Sequence, residues 1–547
     1  MSAAHETAPP GTHRSPKHLA PESNGPEGNK WWTLTAVCFG TFMLLLDVTI
    51  VNVALPDIQS SLGSSFSDLQ WVIDAYALTL ASLLLTAGSL SDIFGRRKLY
   101  IIGLTIFTIA STLCGVAQDT LLLQLSRGLQ GVGGAIMFTV SLALLASAFQ
   151  GKDRGTAFGI WGSITGVAVA VGPVVGGVLV SSLSWRWIFF VNIPIGIAAL
   201  VITIMKVAES RNPKAHAPDW IGFVVFTGSL SLLVYALIES GQKGFGSTVV
   251  IACFVGAAVL MIAFVLFEMR TKTPMLDLSL FRKPTFSGGA IAAFGISAGI
   301  FSMLLYLTLY LQNVLQYSAL QTGLRLLVLS GAILVVATVA GRLSSHLPVR
   351  YLIGPGLALT AIGMLAMRGL DASTAWTHLI PGFIIAGIGV GMVNPPLAST
   401  AVGVVPPRLA GMASGVNSTF RQVGIATGIA LLGTLFAARL ESAVTSATAG
   451  TPFAGRGSSL ATLVQSGQLK TALVKLPKAQ IPIVEKIAAT GFTTALDSIL
   501  LISGIVTLVT AVAAFVLIRT KDFHTQGEES TEEPSDESSK ESVPAAV

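Results

Sequence analysis

The chain has 547 residues, of which 52% are hydrophobic and only 11% charged. Soluble domains carry about 25% charged residues, so this composition excludes a cytosolic enzyme, a secreted disulfide scaffold and a nucleic-acid binder, and it points to a membrane protein. The formal net charge is +6, but the charges sit in short loops and at the ends, where they set orientation rather than recognise nucleic acid.

Residues 1–30 are polar, with no apolar core and no small-residue cleavage site, so no signal peptide is expected there. Fourteen apolar runs follow, at approximately 33–55, 71–91, 99–117, 121–148, 155–181, 187–206, 220–239, 248–268, 286–312, 322–341, 351–368, 377–401, 410–437 and 493–518. Spanning the hydrocarbon takes about 20 residues as a helix but only about 10 as a barrel strand, so the runs are read as helices. Residues 520–547 hold eight acids against two lysines and read as a disordered tail. Cys38, Cys114 and Cys253 each stand alone in an apolar run, without CxxC or zinc spacing, so neither a disulfide nor a metal site is expected.

An even number of crossings puts both ends on one side. With the N-terminus inside, the inner loops hold fifteen Lys and Arg, and the short outer loops hold three. The positive-inside rule therefore makes both termini cytoplasmic. The segment 438–492, rich in Ala, Thr, Ser and Gly, carries six basic residues on the other side and is read as a long, partly ordered extracellular loop.

The junction after the second run reads Gly88-Ser-Leu-Ser-Asp92-Ile-Phe-Gly95-Arg96-Arg97-Lys98, and the junction after the tenth reads Gly341-Arg-Leu-Ser-Ser345-His-Leu-Pro348-Val-Arg350. Two such loops eight runs apart predict two six-helix halves with two additional helices between them, as in carriers that rock around a central site. The divisions are 1–30, a polar N-terminus; 31–210, a first six-helix bundle; 211–284, two extra helices and linkers; 285–519, a second six-helix bundle; and 520–547, the acidic tail.

Several stretches carry a resemblance. Gly88–Lys98 resembles the loop signature of the major facilitator superfamily. Leu46-Asp47-Val-Thr49-Ile-Val-Asn52-Val-Ala54-Leu55-Pro56, Arg127-Gly-Leu-Gln130-Gly131, Trp185-Arg186-Trp187 through Gly196, Tyr310-Leu-Gln312, and Gly411-Met-Ala-Ser414-Gly415 with Arg421-Gln422 are similar to the fourteen-helix drug:proton antiporters of the EmrB/QacA type. Gly166 through Gly172-Pro173-Val-Val-Gly176-Gly177 resembles the antiporter motif. The resemblance covers nearly the whole chain apart from the ends and 438–492. It implies an all-α integral membrane protein of the major facilitator fold, with 14 transmembrane helices.

Asp47 is the first candidate for proton coupling. A carboxylate at mid-span costs about 2.5–3.5 kcal/mol on insertion scales, so it is expected where it faces a cavity or changes protonation. At about 1.5 Å rise per residue Asp47 lies about 21 Å from the inner face. Arg127 lies about 9 Å below the outer face, so a coupling of the two, direct or through Gln130 and water, is geometrically allowed. The resemblance implies a role for Arg127 in proton coupling. Asp74, near the outer end of the second run, is a candidate second proton site or gate residue, against the plainer reading of an interfacial carboxylate.

Gly88, Asp92, Gly95, Arg96 and Arg97 are the expected conformational switch: an acid favours the positive end of a helix, and arginines can pair across a bundle interface. Gly155/Gly159, Gly162/Gly166 and Gly172/Gly176 form small-xxx-small pairs that let helices approach, and Pro173 can kink the helix. Between 286 and 437 the only acid is Asp371, which argues against dicationic substrates. An apolar, aromatic cavity is expected, with Phe301, Tyr306, Tyr310, Asn313, Asn394, Asn417 and Gln422 as lining candidates.

No GxxxxGK[ST], HExxH or GxSxG sequence occurs, so neither ATP hydrolysis nor another enzymatic activity is expected. The combined expectation is a multi-pass pump in the cytoplasmic membrane, monomeric and surrounded by membrane lipids, that exports small lipophilic drugs or antibiotics. It would need no cofactor and would draw on the proton gradient. A lipid or lipid-linked exporter and a proton-coupled nutrient symporter stay open as alternatives on the same fold.

Overall fold

The computed structural model describes residues 28–64, 66–211, 219–271, 274–344, 346–465, 469, 473–474, 476–477 and 479–523. The readings of the extreme N-terminus and of most of the acidic tail lie outside these residues. Among them every regular element is a helix. The first six long helices are α1 (Gly28–Leu62), α2 (Phe66–Phe94), α3 (Arg96–Val116), α4 (Thr120–Ala148), α5 (Gly151–Ser182) and α6 (Asn192–Lys206), the last preceded by one helical turn at Trp187–Phe190. Then come α7 (Trp220–Lys243), α8 (Thr248–Glu268) and α9, which covers Pro284–Val314. The remainder are α10 (Ala319–Leu343), α11 (Arg350–Ala366), α12 (Leu379–Gly403), α13 (Ala410–Thr448) and α14 (Ile481–Leu517).

Among the described residues twelve helices are long and apolar enough to cross a membrane. The other two are α5, rich in glycine and charged in its first turn, and α11, which is 17 residues long with Pro355 inside it. Local chemistry explains several starts. Asp119 caps α4 by accepting from the Leu122 amide at 2.8 Å. Asp219 does the same for α7 through Gly222, also at 2.8 Å. Ser318 and Gln321 form a reciprocal capping box on α10.

Two packed halves result. In the first, α1 packs on α5 and α6, and α4 on α2 and α3; in the second, α12 packs on α10 and α11, and α14 on α11 and α13. Each half has its own apolar core. The halves meet along two seams, α2 against α13 and α5 against α10. A third apolar cluster lies at the first seam, joining Leu85 to Val404, Met412, Ala413 and Val416. The two extra helices are central in the chain but peripheral in the bundle. Helix α7 leans on α2 and α13, and α8 packs on α7. Val255, Val259 and Ile262 of α8 face outward, as lipid contact requires.

The segment 438–492 departs from the expected loop. Helix α13 continues to Thr448, a further helix covers Gly457–Gln465, and α14 already begins at Ile481. The reason is a set of apolar residues at helical spacing within the Ala/Thr background. Leu440, Val444, Leu460, Val464, Val484 and Ile487 pack together and join the core of the second half.

Helix α9 is not a uniform α-helix. It passes through π-helical segments at Ser297–Phe301 and Tyr310–Val314, where each turn holds an extra residue.

Candidate functional site

Asp47 lies in the interior of the first half, 0% exposed, with Arg127 at 2%. Arg127 Nη1 donates to Asp47 Oδ2 at 2.5 Å and to Gln130 Oε1 at 2.7 Å. Its Nε donates to the Val72 carbonyl at 3.1 Å. Asp47 Oδ1 accepts from Gln130 Nε2 at 2.9 Å and from Asn192 Nδ2 at 3.0 Å. The Tyr76 ring sits 4.2 Å from the guanidinium carbon. Helices α1, α2, α4 and α6 thus converge on one ion pair.

Every partner of Asp47 is a donor, so the arrangement suits the carboxylate form. A proton on Oδ2 would face the Arg127 N–H and leave one of the two without an acceptor. Removing one partner of a buried ion pair costs about 3–5 kcal/mol, so the pair is costly to break. Asn192 and Tyr76 belong to the site without a motif that assigns them a role. Nothing in a single sequence places them against residues so distant along the chain.

Asp74 does not join this network. Its charged neighbour is Glu239 of the extra helix α7. Glu239 in turn pairs with Lys243 at 2.7 Å, and Trp71 lies 6.0 Å from Tyr235, centroid to centroid.

The switch residues meet at the opposite end of α2. Asp92 accepts from the amides of Gly411 at 3.0 Å and Met412 at 2.9 Å, so an acid of the first half caps the first turn of α13 in the second. Arg96 holds Asp92 through Nε at 3.1 Å and Nη2 at 2.8 Å, and donates to the Pro407 carbonyl at 2.7 Å. Gly88 lies against the Gly411 backbone. Arg97 stays within its own half, donating to the carbonyls of Thr203 at 3.2 Å and Ile204 at 2.5 Å. The expected pairing across the interface therefore belongs to Arg96 alone. Gly95 has φ 104°, and a Cβ there would come within 2.8 Å of the Glu209 carboxylate, which caps α3.

The glycines of α5 divide among three neighbours. Gly155 and Gly159 meet Gly341 of α10, Gly162 meets Pro395 of α12, and a Cβ on Gly166 would lie 3.0 Å from Ile333. Gly172, further along, meets Thr49 of α1 instead. Gly177 has open space around it, Gly176 is buried, and the Pro173 side chain lies outside the described residues. The helix is thus shared: its first turns close the seam, and its later turns serve the helix that carries Asp47.

The lining candidates do not converge on one cavity. Tyr310 is fully buried, stacked on Phe492, and Tyr306 donates to the Ile429 carbonyl at 3.1 Å beside Phe436. Asn313 is exposed near the end of α9. Asn394 and Asn417 are buried, and Gln422 is half-buried. Between them the structure sets Arg421, 9% exposed, whose Nη1 donates to Asn394 Oδ1 at 3.0 Å. Arg421 was visible in sequence beside Gln422, but no acid in its run suggested a polar site.

A helical membrane protein of two packed halves, with an ion pair buried in one of them and a capped seam between them, is a carrier by architecture. The profile described as Major Facilitator Superfamily matches residues 37–429, and the chain belongs to that superfamily. It is 37% identical over 411 residues to "Multidrug resistance protein Stp" of Mycobacterium tuberculosis, covering 75% of this chain and 76% of that one. It is 34% identical over 432 residues to "Tetracenomycin C resistance and export protein" of Streptomyces glaucescens, covering 78% and 80%. The fold is similar to that of the human organic anion transporter MFSD10, with a TM-score of 0.58 at 15% identity over 88% of this chain and 100% of that one. Both relatives are named for drug resistance, and the second also for export.

Proposed function

We propose that the carrier exports small lipophilic compounds through the cytoplasmic membrane in exchange for protons. The observation that carries this reading is the sealed Asp47–Arg127 pair, in which a carboxylate with only donor partners is buried at mid-span. Asp47 takes a proton from outside when the bundle opens to it. The proton removes the attraction to Arg127 and biases the halves toward the inward-facing state. Substrate loading and proton release inside reset the pair. Exchange results because proton and drug favour different states. One charge gains about 2.3 kcal/mol per 100 mV, so no cofactor is needed.

Orientation comes from charge. Arg96, Arg97 and Lys98 belong to the side holding fifteen Lys and Arg against three, so the capped seam is cytoplasmic and this conformation is closed inward. Adding α5 and α11 to the twelve long apolar helices gives fourteen crossings, with both termini inside. The halves correspond to residues 31–210 and 285–519, with 211–284 as the inserted pair. Asp74 works at the outer mouth with Glu239, as a gate rather than as the carrier of the transported proton.

The test uses purified protein in liposomes with an imposed pH gradient and a fluorescent lipophilic dye. Wild type is expected to move dye with the gradient and Asp47→Asn to lose that movement. Equal gradient-driven movement by the variant would remove Asp47 from the role.

A further inference from the structure

Among the described residues, the second half contains a buried cation that no carboxylate neutralises. From 286 to 437 the only acid is Asp371, in the loop after α11. Arg421 lies eleven residues into α13, about 17 Å along the helix from its start at about 1.5 Å per residue. Its Nη1 is satisfied by Asn394 at 3.0 Å. Its Nε and Nη2 are buried and find no acceptor among the described residues, where no carboxylate pairs with it. Buried charges are otherwise paired, as Arg127 is paired with Asp47 in the first half.

The position of Arg421 is that of a binding group. Ser414, seven residues earlier on the same face of α13, donates to the Thr139 carbonyl of α4 at 2.6 Å. That face therefore turns toward the first half, and Arg421 stands about 10 Å above the closed contact. Its partner Asn394 precedes Pro395, which packs on Gly162 of α5. Arg421 thus sits over the closed ends of both seams. Asn417, one turn below on the same face, keeps its Oδ1 buried without a donor among the described residues. The two free guanidinium nitrogens form one edge of the planar fork, which matches both oxygens of a carboxylate.

We propose that Arg421, held by Asn394, is an anion-binding site of the second half that takes the carboxylate of a lipophilic organic acid. The efflux reading enters only in calling that acid a cargo. The binding site itself stands on the unpaired guanidinium and its place between the halves.

The test measures binding of two probes with one ring system and opposite charge, 9-anthracenecarboxylate and 9-anthracenemethylammonium. The full chain is held in phosphatidylcholine nanodiscs, so that no anionic headgroup competes. Wild type is expected to bind the carboxylate at least tenfold tighter than the ammonium. Arg421→Gln loses that preference and Arg421→Lys keeps part of it. Asn394→Asp is near-isosteric and places a carboxylate on the guanidinium, so it is expected to fold and to abolish carboxylate binding even if Arg421→Gln does not fold. Equal affinity for the two probes in wild type, or carboxylate binding by Asn394→Asp or folded Arg421→Gln at the wild-type level, overturns the proposal. Gradient-driven export of both probes is measured separately. Charge-selective binding without export would leave the site standing and remove the efflux reading, and export without selective binding would do the reverse.

Discussion

Gly88 of α2 and Gly411 of α13 meet backbone to backbone, so closely that a Cβ on either would collide with the carbonyl of the other. A side chain at 88 also runs into Thr139 of α4. Gly88→Val is therefore expected to enter the membrane and fold within each half, yet to hold this seam open. Efflux in vesicles falls at least tenfold. A cysteine introduced by Ser414→Cys, with the native cysteines replaced, becomes reachable by an impermeant maleimide from the Arg96 side. Wild-type efflux by Gly88→Val would show that the seam does not need this contact.

Asp47 and Arg127 stabilise each other as a buried ion pair, apart from the proton coupling proposed for them. Asp47→Asn leaves a guanidinium uncompensated in the core, at a cost of about 3–5 kcal/mol, and is expected to lower the melting temperature in detergent. The double variant Asp47→Asn, Arg127→Gln should recover most of that loss while still failing to export against a pH gradient. Parallel thermal melts and liposome assays separate the two roles. Recovery of export in the double variant would count against the proton mechanism.

Asp92 uses its charge and its two oxygens differently from Asp47. Both oxygens accept backbone amides of α13, and Arg96 shares one of them. Asn at this position keeps an acceptor but no charge; Ala keeps neither. Losing a helix cap costs about 0.5–2 kcal/mol, so efflux is expected to fall from wild type through Asp92→Asn to Asp92→Ala. Initial rates at matched protein density give the order, and equal rates for all three would remove Asp92 from the switch.

Phe492 joins the 438–492 segment to the core of the second half. Its ring lies 4.9 Å from that of Phe436 and 6.4 Å from that of Tyr310. Phe492→Ala is expected to destabilise by about 3–5 kcal/mol, read as a lowered melting temperature. A melting temperature unchanged by this substitution would mean that the 438–492 region folds independently of the half beneath it.

How much of the fold and the site is legible in the sequence depends on the kind of signal. Runs of apolar residues and charge bias announce a helical membrane protein directly. The meeting of Asp47 and Arg127 is allowed by depth alone, since rise per residue is nearly constant. Asp92 at the first turn of α13 accords with an acid near a loop and the positive end of a helix. Among the lining candidates of α9, Tyr306 and Tyr310 lie in the core of the second half for a geometric reason. Each π segment of α9 adds a residue to a turn, which rotates the remainder of the helix by about 100° relative to a uniform one. Residues such as Tyr310 therefore face elsewhere than a constant period places them. The helical extension at 438–448 and 481–492 is hidden by small residues, although Leu440, Val444, Val484 and Ile487 already carry helical spacing. Arg421 stays silent because its partner is a neutral amide and comes from a different helix.

The two seams are built from unlike materials. Where α2 meets α13, an acid, an arginine and two amides hold the halves together; where α5 meets α10, Gly155 and Gly159 rest on Gly341 with no charge between them. Close glycine packing and the neutral hydrogen bonds of Ser163 to the Leu334 carbonyl, at 3.1 Å, and to the Thr338 hydroxyl, at 3.0 Å, hold the second seam, so it responds little to charge. The first can be loosened by whatever competes for a carboxylate. A bundle joined in this way has a fitted hinge line along one edge and a clasp along the other, and any signal that times its opening must arrive at the clasp.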